Sequence, residues 1–200
     1  MRHGEMTAVQ RDSGEGQPTP GTLEGRLARL RPVASSDLPA LLAILDEPEV
    51  ARWWRRAEWE RVDEHDAVTL VIELKTAGAI AGAGGAAVTT GVHAVAGCIQ
   101  YTEETDPDYF SAAVDIFVGS AAQGFGVGPD TMRTLIAWLV DVRGHHRLTV
   151  DPAAENARAV HVYENLGFRP VGVLRRYERV EDGVWRDALL MELLAGDFRR

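Results

Sequence analysis

After a polar start, the spacing of apolar side chains divides the chain into short strand and helix patterns. Residues 1–24, "MRHGEMTAVQRDSGEGQPTPGTLE", are polar, rich in glycine and proline and without apolar period, which predicts a disordered tail ahead of one folded domain over 25–200. In "GRLARLRPV", Leu27, Leu30 and Val33 alternate loosely with arginines and predict a first strand. Leu38, Leu41, Leu42 and Leu45 then follow helical spacing, with Ser35 or Ser36 as cap and Pro48 as the stop. "EVARWWRRAEWERVDEH" predicts a shorter helix carrying Trp53, Trp54 and Trp59, and "AVTLVIEL" a strand.

The next stretch, "KTAGAIAGAGGAAVTTGV", is nearly all small residues and reads either as a wide hairpin or as a mobile excursion. "HAVAGCIQYTEETD" and "SAAVDIFVGS" predict a hairpin pair around Pro107. The strongest helical pattern comes after "QGFGVG": Met132, Leu135, Ile136, Leu139 and Val140 recur at helical spacing. "HRLTVDP" predicts a strand, and a helix from about Glu155 to Leu166 closes on Gly167. "FRPVGVLRRYERV", the turn "EDG" and "VWRDALLMEL" predict a final hairpin. Strands and helices interleave with hairpins, which is an α+β pattern.

At 200 residues, 46% hydrophobic and 26% charged, the chain has the makings of one globular core. Its longest apolar runs are broken by glycines, and the N-terminus lacks a basic-then-apolar signal, so a soluble cytoplasmic protein with no membrane partner is expected. The single cysteine, Cys98, excludes an internal disulfide and a cysteine-based zinc cage, and its apolar surroundings predict burial. His145 and His146 are adjacent and the other histidines scattered, which implies no metal site. The net charge is −9, and no lysine or arginine occurs from Thr76 to Met132, where Glu103, Glu104, Asp106, Asp108 and Asp115 fall. That stretch lacks the basic face a nucleic acid needs. It reads either as an acidic cleft for a cation or as a solvated loop.

"QGFGVGPD" is neither a dinucleotide fingerprint, which needs a glycine where Pro129 stands, nor a triphosphate loop, which needs Gly-Lys-Ser/Thr. A strand, a loop of unhindered backbone amides and a helix start still suit a pyrophosphate. Pro129 fits the first helical turn.

Together with the segments C-terminal to it, the loop resembles the core of the GCN5-related N-acetyltransferase (GNAT) superfamily. Gln123, Gly126 and Gly128 match the family's pyrophosphate loop, and Asn156, Ala159, Tyr163, Gly167 and Phe168 match its "N-x-x-A-x-x-x-Y-x-x-x-G-F" helix. The resemblance implies a mixed, mostly antiparallel sheet of about six or seven strands with helices on both faces. It also implies acetyl coenzyme A as cosubstrate, with no metal. Ile116, Phe117, Val118, Gln123, Gly124, Phe125, Gly126, Val127, Gly128, Asn156, Ala159 and Tyr163 would bind it, with Tyr163 as donor to the departing sulfur. The plain alternative for Tyr163 is an amphipathic core tyrosine.

A narrower resemblance, over about residues 27–194, is to aminoglycoside 6'-N-acetyltransferases, resistance enzymes that act on a cationic small molecule. It is carried by Trp53 and Trp54, "EETDP", "VDIFV", "TVDPAAENARAVHVYENLGF" and the final hairpin. The chain departs from them in a shorter loop after Asp115 and a longer small-residue stretch. By this resemblance Asp115 orients the amine and accepts its proton, while Glu103, Asp106, Asp151, Trp53 and Trp54 hold the acceptor. The tryptophans read equally as packing of the second helix, and Asp151 as a turn residue before Pro152. Three functions stay open: an aminoglycoside acetyltransferase, an acetyltransferase for a peptide N-terminus, siderophore precursor or polyamine, and a non-catalytic acyl coenzyme A module. Monomer and homodimer are equally compatible with the sequence.

Overall fold

The computed structural model describes residues 20–55, 67–75, 78–81, 87–90, 94–180 and 183–200. Leu23–Glu24 (β1) lie within the polar N-terminal stretch, yet pair antiparallel with Ala28–Pro32 (β2). Then come Leu38–Leu45 (α1), Pro48–Ala51 (α2) and Val68–Leu74 (β3). Neither Ser35 nor Ser36 caps α1. Both lie in a tight turn, Ser35–Asp37, where the Asp37 carboxylate accepts the Ala34 amide at 2.8 Å and pairs with Arg31. The second helix is shorter than its pattern suggests: Trp53 and Trp54 stand in the turn beyond α2, and Trp59 lies outside the described residues.

Gly78–Ala81 (β4) and Ala87–Thr90 (β5) pair antiparallel, apart from the main sheet, and the rest of the small-residue stretch lies outside the described residues. Val95–Glu104 (β6) and Ser111–Val118 (β7) form the expected hairpin around Pro107. Val127–Asp141 (α3), Arg147–Val150 (β8), Ala157–Leu166 (α4), Arg169–Arg179 (β9) and Trp185–Leu194 (β10) complete the chain. Glu181 and Asp182, of the "EDG" turn, lie outside the described residues.

The main sheet has eight strands in the order β1-β2-β3-β6-β7-β8-β10-β9, slightly more than expected. Every pair in it is antiparallel except β7 with β8. Strand alternation sends neighbouring side chains to opposite faces. Leu70, Ile72, Ile99, Tyr101 and Val114 pack with Met132, Leu135 and Ile136 of α3 and with Tyr163 and Leu166 of α4. Val71, Cys98 and Phe117 pack with Leu41, Ile44 and Leu45 of α1 and Val50 of α2. Helices therefore cover both faces, and Cys98 is buried as expected. No helix among the described residues is long and apolar enough to cross a membrane.

Candidate active site

The site begins where the parallel pair ends. β7 and β8 are in register only at Ala112 with Leu148 and Ala113 with Thr149, so the rest of β7 has no strand on that side. Gly119 donates its amide to the Ala96 carbonyl at 2.8 Å, which makes Gly119, Phe117 and Asp115 the residues whose backbone faces β6. The backbone groups of Ile116 and Val118 then turn to the open side. Gln123 Nε2 meets the Val118 carbonyl there at 2.7 Å.

The chain next makes a short turn, Ser120–Ala122, and passes through Gly124 and Gly126, with φ of 83° and 82°, into α3. Gly126 is the N-cap of α3, so the amides of Val127 and Gly128 open the helix without intrahelical partners and the positive end of its dipole faces the loop. A Cβ on Gly126 would meet only Leu27 Cδ1, at 3.5 Å. The left-handed backbone by itself requires a glycine here. The Val127 side chain is buried and that of Phe125 packs on the core, so either could serve a ligand here only through its backbone.

These elements wall a cleft of about 420 Å³, lined among others by Ile116, Val118, Gln123, Gly124, Gly126 and Gly128. Asn156 caps α4 by accepting the Ala159 amide at 3.1 Å, and Asn156, Ala159 and Tyr163 form the opposite wall. Arg158, which is not among the residues expected from the sequence, lines the same cleft and donates to Gln123 Oε1 at 2.8 Å. A cation two residues into a helix facing a glycine loop is the signal that could have found it.

Tyr163 is buried, with its ring 5.7 Å from that of Phe168. Burial first, then the negative charges of Asp115 and Asp151, hold its phenol well above the usual range. Both carboxylates line a second cleft of about 410 Å³ that shares Trp53, Trp54, Ile116, Asn156, Ala159 and Tyr163 with the first. Trp54 packs edge-on against Phe117, with ring centroids 5.2 Å apart. Trp53 lies under Arg52 and Arg186, at 4.4 and 5.5 Å.

Two expected members are not brought there. The Glu103 side chain is fully buried and bonded to Arg143 and His145, the latter at 2.5 Å from Nε2. Asp106 sits exposed in the hairpin turn, where its carboxylate accepts the Asp108 amide. Neither lines either cleft. In their place the second cleft takes Arg55, Tyr177, Glu178 and Arg179, three of them from β9. The hairpin pattern of β9 in the sequence carries no sign of this role.

The same architecture recurs in solved structures. The ribosomal-protein-S5-alanine acetyltransferase of Vibrio fischeri superposes with a TM-score of 0.66 at 18% identity, over 90% of this chain and 100% of its own. Mycobacterium smegmatis RimJ in complex with CoA-disulfide gives 0.67 at 22%, over 90% and 88%. The spermidine N-acetyltransferase of Vibrio cholerae, in complex with CoA and spermine, gives 0.63 at 18%, over 86% and 97%. Among curated protein sequences none matches the chain. The acetyltransferase (GNAT) domain model matches residues 28–169, which span the sheet from β2 to β8, both clefts' shared wall and α4, and the chain belongs to that family.

Proposed function

We propose that this acetyltransferase moves the acetyl group of acetyl coenzyme A to a primary amine of a cationic small molecule, the 6'-amine of an aminoglycoside being the first acceptor class. One observation carries the reading: the glycine-loop cleft and the carboxylate-bearing cleft share a wall that includes Tyr163. The first suits the coenzyme. Its loop amides and helix start favour the pyrophosphate, Arg158 supplies a cation, and the open backbone of Ile116 and Val118 matches an extended amide-bearing arm. Acetyl coenzyme A brings the activated acyl group.

The residues divide the chemistry. Asp115 takes a proton from the acceptor's ammonium, directly or through water, leaving a nitrogen lone pair to form the new C–N bond. Tyr163 gives its phenolic proton to the sulfur as the C–S bond breaks, so that free thiol leaves. The nitrogen sheds its second proton to solvent as the amide forms, and the proton on Asp115 returns to Tyr163 through solvent. Asp151 and Glu178 attract further cationic groups of the acceptor, and Trp53 and Trp54 give it a flat apolar wall.

Two of the three named relatives carry an amine acceptor in their names, an alanine of ribosomal protein S5 in one and spermidine in the other. Arg55 and Arg179 in the second cleft favour a second reading, a peptide N-terminus whose carboxylate or carbonyl groups they would receive. Release of coenzyme A thiol is measured with kanamycin-type and neomycin-type aminoglycosides, spermidine, a lysine analogue and an N-terminal peptide. Turnover with aminoglycosides supports the first reading. Acetylation of the peptide or spermidine with every aminoglycoside ignored replaces it, and no thiol release from any amine removes the enzyme reading.

A further inference from the structure

Arg176 is the one non-glycine residue with positive φ among those described, at 53°. The ladder shows where the irregularity arises. Arg186 pairs with Glu178 and Ala188 with Leu174, so between those pairs Arg175, Arg176 and Tyr177 of β9 face Asp187 alone in β10. Such a bulge re-aims the side chains beside it, and its backbone conformation persists only when its surroundings hold it. Asp187 does so. Its Oδ1 accepts the Arg176 amide at 2.7 Å, while its carbonyl accepts the Ala154 amide at 2.9 Å. One residue thus ties the bulge to the segment after β8 that carries Asp151. Tyr177, next in the bulge, lines the second cleft together with Asp151, whose carboxylate is the main influence raising its phenol.

We propose that Tyr177 is a positioning residue for the acceptor: its hydroxyl donates to the Asp151 carboxylate and fixes it to receive a second ammonium group, so that diamines and polyamines are selected over monoamines. The bulge locked by Asp187 sets the reach of Tyr177. This rests on the reading of the second cleft as the acceptor site. A carboxylate has about four lone-pair directions, so one bond from a phenol fixes its plane and leaves the others for an ammonium. Asp115 serves the reacting amine, and Asp151 is a separate carboxylate in the same cleft. The hydrogen bond to Asp151, then burial and the charges of Asp151, Asp115 and Glu178, push the Tyr177 phenol up to about 12. It therefore remains a donor across the working pH range.

The test compares neamine, which carries several ammonium groups, with 6-amino-6-deoxyglucose, which carries one, in steady-state thiol release. Tyr177→Phe is expected to raise KM for neamine about tenfold, with kcat within about twofold and the monoamine unaffected, as for loss of one hydrogen bond to a charged group. Asp187→Ala should reproduce that pattern and Asp187→Asn, which keeps the accepting oxygen, should restore it. An equal rise for both amines, or none for either, overturns the inference. If the wild type turns over neither amine, the acceptor class fails separately, and the phenol itself decides. In ¹³C-tyrosine NMR, with the signal assigned by its loss in Tyr177→Phe, Tyr177 should titrate well above the ordinary phenol value of about 10 and fall toward it in Asp151→Ala. Titration at the ordinary value in the wild type overturns the inference without any acceptor.

Discussion

Arg158 donates from its guanidinium to Gln123 Oε1 at 2.8 Å, joining α4 to the loop that opens α3. The bond bridges the two walls of the first cleft. Gln123 passes it on to the strand by donating to the Val118 carbonyl. The loop is also held from behind, since Asp130 in the first turn of α3 accepts the backbone amides of Arg26, Leu27 and Ala28 at 3.0, 2.8 and 3.2 Å. A glycine loop without bulky side chains gains its rigidity from such neighbours.

Two glycines of that loop should fail differently. Gly126→Ala puts a side chain at φ of 82°, so it should cost stability, about 1 to 2 kcal/mol, whatever its effect on the coenzyme. Gly128 has no positive φ, lines the cleft, and has only Val118 Cγ2 near, at 3.8 Å. Gly128→Val should therefore fold normally and bind acetyl coenzyme A at least tenfold more weakly, as for loss of one charge-assisted amide contact. Urea unfolding and calorimetry separate the two outcomes. Unchanged affinity in a folded Gly128→Val would remove the loop from the coenzyme site.

Tyr163→Phe should lower kcat by about ten- to a thousandfold and leave the coenzyme Kd nearly unchanged, as for a donor used in the transition state. Because its folded-state pKa is raised, the phenol is still protonated where an ordinary tyrosine begins to ionise. Wild-type kcat/KM should accordingly show no fall from Tyr163 ionisation up to about pH 10. Normal turnover in the variant would reduce Tyr163 to a packing residue.

The first cleft was more legible in sequence than the second, for a physical reason. Gln123, Gly126 and Gly128 lie on one contiguous run from loop into helix start, and Asn156, Ala159 and Tyr163 on one helix and its cap, where fixed spacing determines which side chains share a face. The same local logic placed α3, α4, the β6–β7 hairpin and the β9–β10 hairpin. The second cleft is assembled from the turn beyond α2, β7, the segment after β8, α4 with its cap, and a bulge in β9. A bulge shifts strand alternation by residues that no period reveals, so Tyr177 gave no signal. Glu103 misled because an acidic run conceals partners distant in sequence: Arg143 and His145 come from beyond the end of α3.

Glu103 should therefore matter for stability, not for the acceptor. Burial pushes its carboxyl upward, but hydrogen bonds from Arg143 and His145 and their charges outweigh burial and hold it below the usual value. With the folded pKa lowered, the stabilisation is present above the unfolded carboxyl's pKa and is lost as pH falls through the folded one. Glu103→Gln should lose about 3 kcal/mol near neutral pH, in the range for removing one member of a buried pair, and part of the acid dependence of unfolding with it. Its acceptor KM should match the wild type. Denaturant midpoints from pH 3 to 7 check the first part, and a changed KM with unchanged stability would return Glu103 to the acceptor site.

The sharpest contrast among the carboxylates is between Asp115 and Asp106. Asp115 projects from the face of β7 opposite Val114, beside the wall shared by the two clefts, and its charge is felt at Tyr163. Asp115→Asn keeps the size and one accepting oxygen but removes the proton acceptor, so kcat should fall about a hundredfold while the acceptor Kd changes little. Asp106, in the exposed turn, should tolerate Asn without effect on kcat or KM, although its place in the acidic run suggests an acceptor contact. Salt supplies an independent check. Asp115, Asp151 and Glu178 share their cleft with Arg55 and Arg179, so the net field is small and acceptor affinity should weaken only modestly as salt rises. A steep salt dependence that Asp106→Asn abolishes would mean that the turn reaches over the bound acceptor, and that the acceptor site extends beyond the residues that line the second cleft.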